Sequence, residues 1–339
     1  MKITWSWSLE SEANRLLHEA HYVNSGFFRL HHFYPLPWTP KTKYLPQGVY
    51  LPILPYSSIP DFWYQVKYYN HDQMAIDSKT APLHTQLVKL LTPLGLTPPD
   101  HAQLESDWVK IAPRFEKLLK ELAPFAPQIR RLTVHLSYFG TGGSFSLAGS
   151  APADLIVDLR VDQTLTDLAE CILTAVTRPY LTKAMHSSWE ESESLVDYLL
   201  AHSPMSALFT HPHLGTIKSL REHVSDAIIT ESQSFLRALG APLPTTQTFE
   251  IKHNTVYFGG CPLSDLSARE HVAMTKLIEK EPSPVTTDEL ADLLFPDPAK
   301  FSLAALTKFV ERLRTKLESM GISRHYLATT SGVGYYLKN

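Results

Sequence analysis

Between Ser267 and Leu337 the chain carries a run of local signals that admits few folds: three helical patterns, each with its own start and stop, then a hairpin. Ser267 can accept an orphan backbone N–H, and Glu270 three residues on completes a capping box, which predicts a helix to about Lys280 closed by Pro282 and Pro284. Thr286 with Glu289 repeats the signature and opens a short helix to Leu294, stopped by Pro296 and Pro298. Over residues 302–320, Leu303, Leu306, Val310, Leu313 and Leu317 recur at the spacing of one apolar stripe, and Gly321 suits the left-handed turn that ends such a helix. Residues 326–329 and 334–337 then flank a turn rich in Ser and Gly, a hairpin signal.

With the apolar stripe fixed, the partner-facing side of the third helix follows. At about 100° per residue, Lys308, Arg312, Thr315 and Ser319 lie opposite Val310, with Lys316 on the flank. Arg314 falls only about 40° from Val310, so it is expected in an internal ion pair or reaching a phosphate from the edge. Three helices and a hairpin make a unit whose third helix suits the major groove of double-stranded DNA, with the hairpin touching the adjoining backbone.

The Leu-Ser-x-x-Glu start at Leu266, the Arg-Leu-Arg-x-Lys-Leu run from Arg312 and the Gly-Val-Gly-Tyr turn from Gly332 occur in this order. Together with a strand pair at 249–251 and 255–258, the segment resembles the OmpR/PhoB type of winged-helix DNA-binding domain from roughly Thr248 onward. The resemblance implies that Lys308, Arg312, Thr315 and Lys316 present to the groove and backbone, with Thr329 and Thr330 at the wing. Ser331 and Tyr336 stand where the family's wing usually carries arginines. Residues 245–339 hold 11 Lys+Arg against 11 Asp+Glu, so the salt-dependent attraction to phosphates must come from a local patch.

At 339 residues with 44% apolar content the chain predicts two to three units with full cores. Its net charge of −3 argues against wholesale coating of nucleic acid. No apolar run approaches the length of a membrane span, and Met1-Lys2 is not followed by a secretory core, so a soluble cytoplasmic protein is expected. Cys171 and Cys261 are far apart and form no CxxC pair, which suits a reducing compartment.

Upstream, residues 1–80 are rich in aromatics and proline and predict a segment wrapping a neighbouring domain, after a short strand from Ile3 and a helix to about Tyr22 capped by Ser8 or Ser11. His18-Glu19-Ala20-His21 lies one residue short of the zinc-protease spacing, and a surface or interdomain helix is expected there rather than a metal site. Helices are predicted at 82–97 and 101–123. Strands at 131–138 and 144–147 flank Gly140 to Gly143 in a hairpin pattern, a third strand runs over 154–161, a helix capped by Thr166 buries Leu168, Ile172 and Val176, and another spans 189–201.

This order resembles the core of gluzincin metallopeptidases, placed on Ala169-Glu170-Cys171-Ile172-Leu173 and on Glu193 with Asp197 four residues later. The resemblance makes Glu170 a vestigial general base and Glu193 with Asp197 a vestigial ligand and its support. Both histidine positions are lost, to Ala169 and Leu173, and Glu193 alone cannot hold a catalytic zinc. A helix over 219–239 and a short semi-rigid linker at 241–246 complete the reading.

The expected architecture is α+β: a mixed domain at 1–244 resembling an inactive zincin, then a winged helix at 245–339. The expected function is DNA-binding transcription regulation, with no enzyme activity, metal or cofactor, and an N-terminal part that senses a ligand, dimerises or recruits a protein. A metallopeptidase with an unorthodox site and an interaction scaffold whose winged helix binds no DNA are the alternatives.

Overall fold

The computed structural model describes residues 1–121, 129–148, 153–185, 187–209, 221, 223–295, 297 and 301–339. The N-terminal elements begin with β1 (Lys2–Ser6), α1 (Leu9–Ser25), α2 (Phe27–Leu30), β2 (Tyr34–Trp38), β3 (Gly48–Pro52), α3 (Phe62–Gln65), α4 (Ala81–Leu91) and α5 (Ala102–Glu121). They continue with β4 (Ile129–Ser137), β5 (Gly143–Ala148), β6 (Ala153–Arg160), α6 (Leu165–Ala184), α7 (Trp189–His202) and α8 (Asp226–Ala238). The helix predicted over 219–239 is α8 in its described part; 219, 220 and 222, like Pro296 and Pro298, lie outside the described residues.

Helix α1 starts where Ser8 and Ser11 form a reciprocal capping box. Its Ala13, Leu16, Leu17, Ala20 and Val23 enter a core that α4, α8 and the β2–β3 pair complete, so residues 1–80 supply much of a core shared with later helices rather than wrapping a separate one. Of the surface or interdomain helix expected around His18, the surface alternative is overturned, since Glu12, Arg15, His18, Glu19 and His21 are buried as well, and the helix ends against the C-terminal part. Most of their polar groups find partners inside the fold. Arg15 pairs with Glu19 at 2.9 Å and donates to Ser144, and His21 Nδ1 donates to the Val66 carbonyl at 3.2 Å.

A mixed sheet in the order β1-β4-β6-β5 carries the second core. β1, β4 and β6 run parallel, and β5 lies antiparallel on β6 at the edge. The hairpin predicted between 131–138 and 144–147 does not form, because β6 enters between the two strands and takes β5 as its partner. Gly140 instead exchanges backbone bonds with Tyr50, at 3.1 and 2.7 Å. Helix α6 is capped by Thr164 with Asp167, not by Thr166, and buries Leu168, Ile172 and Val176 on the sheet.

The C-terminal part comprises β7 (Phe249–Lys252), β8 (Thr255–Phe258), β9 (Cys261–Pro262), α9 (Ala268–Lys280), β10 (Val285–Thr286), α10 (Thr287–Leu294), α11 (Leu303–Ser319), β11 (Leu327–Thr330) and β12 (Gly334–Leu337). Both predicted capping boxes form, Ser267 with Glu270 and Thr286 with Glu289, and Ser302 caps α11. The hairpin gains a third strand, β10, which pairs with β12. One stripe residue departs: Leu303 is 66% exposed in the first turn of α11, and Phe309 takes the fifth buried place beside Leu306, Val310, Leu313 and Leu317.

The two parts are fastened at the end of α1. Gln247 Nε2 donates to the Val23 carbonyl at 2.7 Å, the Ser323 N–H donates to the Ser25 carbonyl at 2.9 Å, and Tyr326 OH donates to the Gln247 carbonyl at 2.9 Å. Gly26, at φ 78°, lies against the Tyr326 ring where a Cβ would sit 2.3 Å from the hydroxyl. The segment expected as a linker is therefore a 3₁₀ turn, Pro244–Thr246, leading into a buried glutamine.

Candidate nucleic-acid interface

Helix α11 is held by its apolar stripe in the C-terminal core, and this sets what its other faces can meet. Lys308, Arg312, Thr315 and Ser319 are exposed and Lys316 is half-buried. Lys308 and Arg312 form no ion pair among the described residues, so their charges are available to an anionic partner. Thr315 Oγ1 donates back to the Glu311 carbonyl at 3.0 Å, which leaves its lone pairs outward.

Arg314 is turned inward. Its Nε and Nη2 donate to the Leu327 carbonyl at 2.9 and 2.8 Å, Nη2 also reaches Thr329 Oγ1 at 2.9 Å, and Nη1 pairs with Glu311. This is the internal ion pair expected from its angle to Val310, and it ties the helix to the wing. Thr329 is exposed but its hydroxyl oxygen already accepts from Arg314, while Thr330 pairs with Gly334 across the hairpin. Glu311 also receives Arg324 at 2.6 Å. Arg324 had no pattern in the sequence to single it out, since it lies in the turn between helix and hairpin.

The inner flank of α11, at Glu311, Arg314 and Glu318, and one side of the wing face the N-terminal part across a cavity of about 1890 Å³. Opposite stand β5, α6 and the start of α7. Glu170 and Glu193 both line this space, Glu193 paired with Arg178, whereas Asp197 lies one turn further along α7 and outside it. Burial raises the Glu193 carboxyl above its usual range, against the pull of Arg178. Ala169 and Leu173 are fully buried among the side chains between α6 and the sheet, so the two positions that would have to be histidines face the core rather than the cavity. Among the described residues no three His, Cys, Asp or Glu side chains come together as metal ligands; His186, His211 and His213 lie outside them. No described helix is long and apolar enough to cross a membrane.

Residues 263–337 match the family described as transcriptional regulatory protein, C terminal. Protein RcaC of Microchaete diplosiphon is 35% identical over 83 residues, which make up 24% of this chain and 13% of that protein, so the chain spans a small part of that relative's length. No solved structure matches. With its capped helices, three-stranded wing and outward basic face, the C-terminal part of the chain is a winged-helix domain of this transcriptional-regulator family, the OmpR/PhoB type.

Proposed function

We propose that the protein is a DNA-binding transcription regulator whose N-terminal part controls the winged helix by sensing a ligand, pairing with a second copy or recruiting a protein. The observation that carries it is the outward face of α11, where Lys308 and Arg312 stand exposed beside Thr315 while the neighbouring Arg314 is spent on the fold. A helix so presented fits the major groove, and its lysine and arginine supply the phosphate and base contacts. Binding rests on few cations, so the salt dependence is shallow.

Fluorescence anisotropy of the intact chain with labelled duplex DNA, run across salt concentrations, tests this. A saturable signal that weakens with salt is expected; no salt-dependent binding at any concentration would sink the regulator reading.

The N-terminal part is read as non-catalytic. Support comes from α6, where the core-facing Ala169 and Leu173 leave Glu170 and Glu193 without the two histidines that a peptidase zinc needs. The vestigial-peptidase origin of this region, with Asp197 as former support to Glu193, belongs to the same proposal. Elemental analysis of the purified protein checks it: one zinc per chain, lost on Glu193→Gln, would reverse it.

A further inference from the structure

The seam between the two parts runs through a pair of histidines, one from each side. His31, just after α2, is fully buried, and His325, half-buried, lies in the 3₁₀ turn Arg324–Tyr326 between α11 and the wing. Their rings meet edge to face with centres 4.9 Å apart, while Phe27 at 4.5 Å and Trp189 at 4.2 Å close round His31. Neither ring nitrogen of His31 has a hydrogen-bond partner among the described residues, so a proton added there would bring a charge into a site built for a neutral ring.

One carboxylate stands nearby, and it is already engaged across the seam. Glu190 Oε1 is 3.6 Å from His31 Nδ1 but 3.1 Å from Lys338 Nζ of the C-terminal part. The other charges that act most on the pair are cationic: Lys338 and Arg221 on His31, and Lys338, Arg178 and Arg324 on His325. Burial first, and then these cations, outweigh Glu190 and hold His31 down to about 4 and His325 well below the ordinary 6.5. Both rings are therefore neutral in the docked chain. Undocking takes His325 and Lys338 away from His31, opens the facing rings to water and frees Glu190 for a protonated His31.

We infer that this pair is a proton-operated latch: His31 and His325 close the seam only as neutral rings, so acid releases the winged helix from the N-terminal part with both parts still folded. Separate cores permit this, since the buried apolar cluster of the winged helix takes only Leu30 from upstream among the described residues. The released state takes up protons near the ordinary 6.5, whereas the docked state keeps His31 neutral to about 4. The latch's contribution to docking is thus fully present above 6.5 and is lost as pH falls from there toward 4. Within that window each histidine weakens docking about tenfold per pH unit. The latch goes beyond the regulator reading and does not depend on it, because it concerns docking alone.

Limited thermolysin cleavage of the intact chain without DNA, at pH 7.5 and 5.5, tests the latch, because cutting within 241–248 reports the undocked fraction. Rates are normalised to a free peptide of the same residues, and far-ultraviolet circular dichroism is read on the same samples. Going from pH 7.5 to 5.5 should speed this cleavage about tenfold per histidine, or about a hundredfold in all, with the helical signal unchanged. His31→Phe with His325→Phe keeps rings at the seam and removes the protons, so its cleavage should be nearly independent of pH. Where the double variant fails to fold, the half-buried position alone serves, and His325→Gln should hold the rise to about tenfold. A rise of less than tenfold in the unaltered chain, or an equal rise in these variants, would overturn the latch. So would cleavage within α4 that accelerates in step, since acid would then be unfolding the chain rather than opening the seam.

Discussion

Arg312 and Arg314 lie two residues apart on α11, and about 200° of helical rotation gives them opposite work. Arg312 points outward, while Arg314 joins the helix to the Leu327 carbonyl and to Glu311. Arg312→Ala should therefore weaken duplex binding by about 1–3 kcal/mol with little change in melting temperature. Arg314→Ala should do the reverse, costing about 1–3 kcal/mol of stability because it strands a buried carbonyl. Anisotropy and thermal melts on both variants check this, and equal losses of affinity would show the face assignment to be wrong. A second residue sets a pH dependence. Glu12 is buried with Trp7 Nε1 and the Tyr138 N–H each donating to it at 2.9 Å, and burial pushes its carboxyl from 4.5 up to about 7. Between those values the folded chain holds a proton that the unfolded chain has released, so this group's contribution to stability is full below 4.5 and is lost as pH rises through 7. Denaturant melts at pH 5 and 7.5 should differ by about 1–3 kcal/mol through this residue, and Glu12→Gln should flatten the difference.

At the level of elements, the wing depends on a close backbone approach. A Cβ on Gly334 would fall 2.0 Å from the Val285 carbonyl, so Gly334→Ala must push β10 off β12. The expected result is loss of the three-stranded wing and of duplex binding together, with α11 still helical by circular dichroism; retained DNA affinity would mean that the wing is dispensable. Local chemistry made much of this unit legible in advance. Capping boxes at Ser267 and Thr286, the stripe through Leu306 and Leu317 and the hairpin turn are all short-range patterns, and each predicts its element directly. What was hidden is long-range. Two-residue β10 has no pattern of its own, and the pairing of β5 with β6 instead of β4 is set by a strand that comes later in the chain. Burial of Glu12, Arg15 and Glu19 was illegible for a related reason: their partners, Ser137, Ser144 and Asp158 among them, come from more than a hundred residues away. The face of α11 could be read from its angles alone, but the cavity behind it could not, because its walls come from both parts of the chain.

For the whole molecule, the position of the winged helix rests on a small polar junction where α1 ends. The last carbonyls of a helix lack partners within it, and here Val23 and Asn24 receive theirs from the Gln247 amide, at 2.7 and 3.1 Å. The glutamine's own carbonyl accepts from Tyr326 and from Arg29 at 3.0 Å, so one residue at the entry to the C-terminal part binds both sides. Replacing its amide by a methyl group leaves the Asn24 carbonyl without this donor and the Val23 carbonyl with only the Gly26 N–H at 3.4 Å, at a cost of about 1–3 kcal/mol. The winged helix keeps its own core, which among the described buried apolar residues takes only Leu30 from the N-terminal part. Gln247→Ala should therefore loosen docking before it unfolds either part. Limited proteolysis should then cut within 241–248 at least several times faster than in the unaltered chain, while duplex affinity at low salt changes little, because Lys308 and Arg312 are untouched. Cleavage of Gln247→Ala at the original rate would mean that docking is held by the aromatic contacts of Phe27, His31 and His325 rather than by the polar junction.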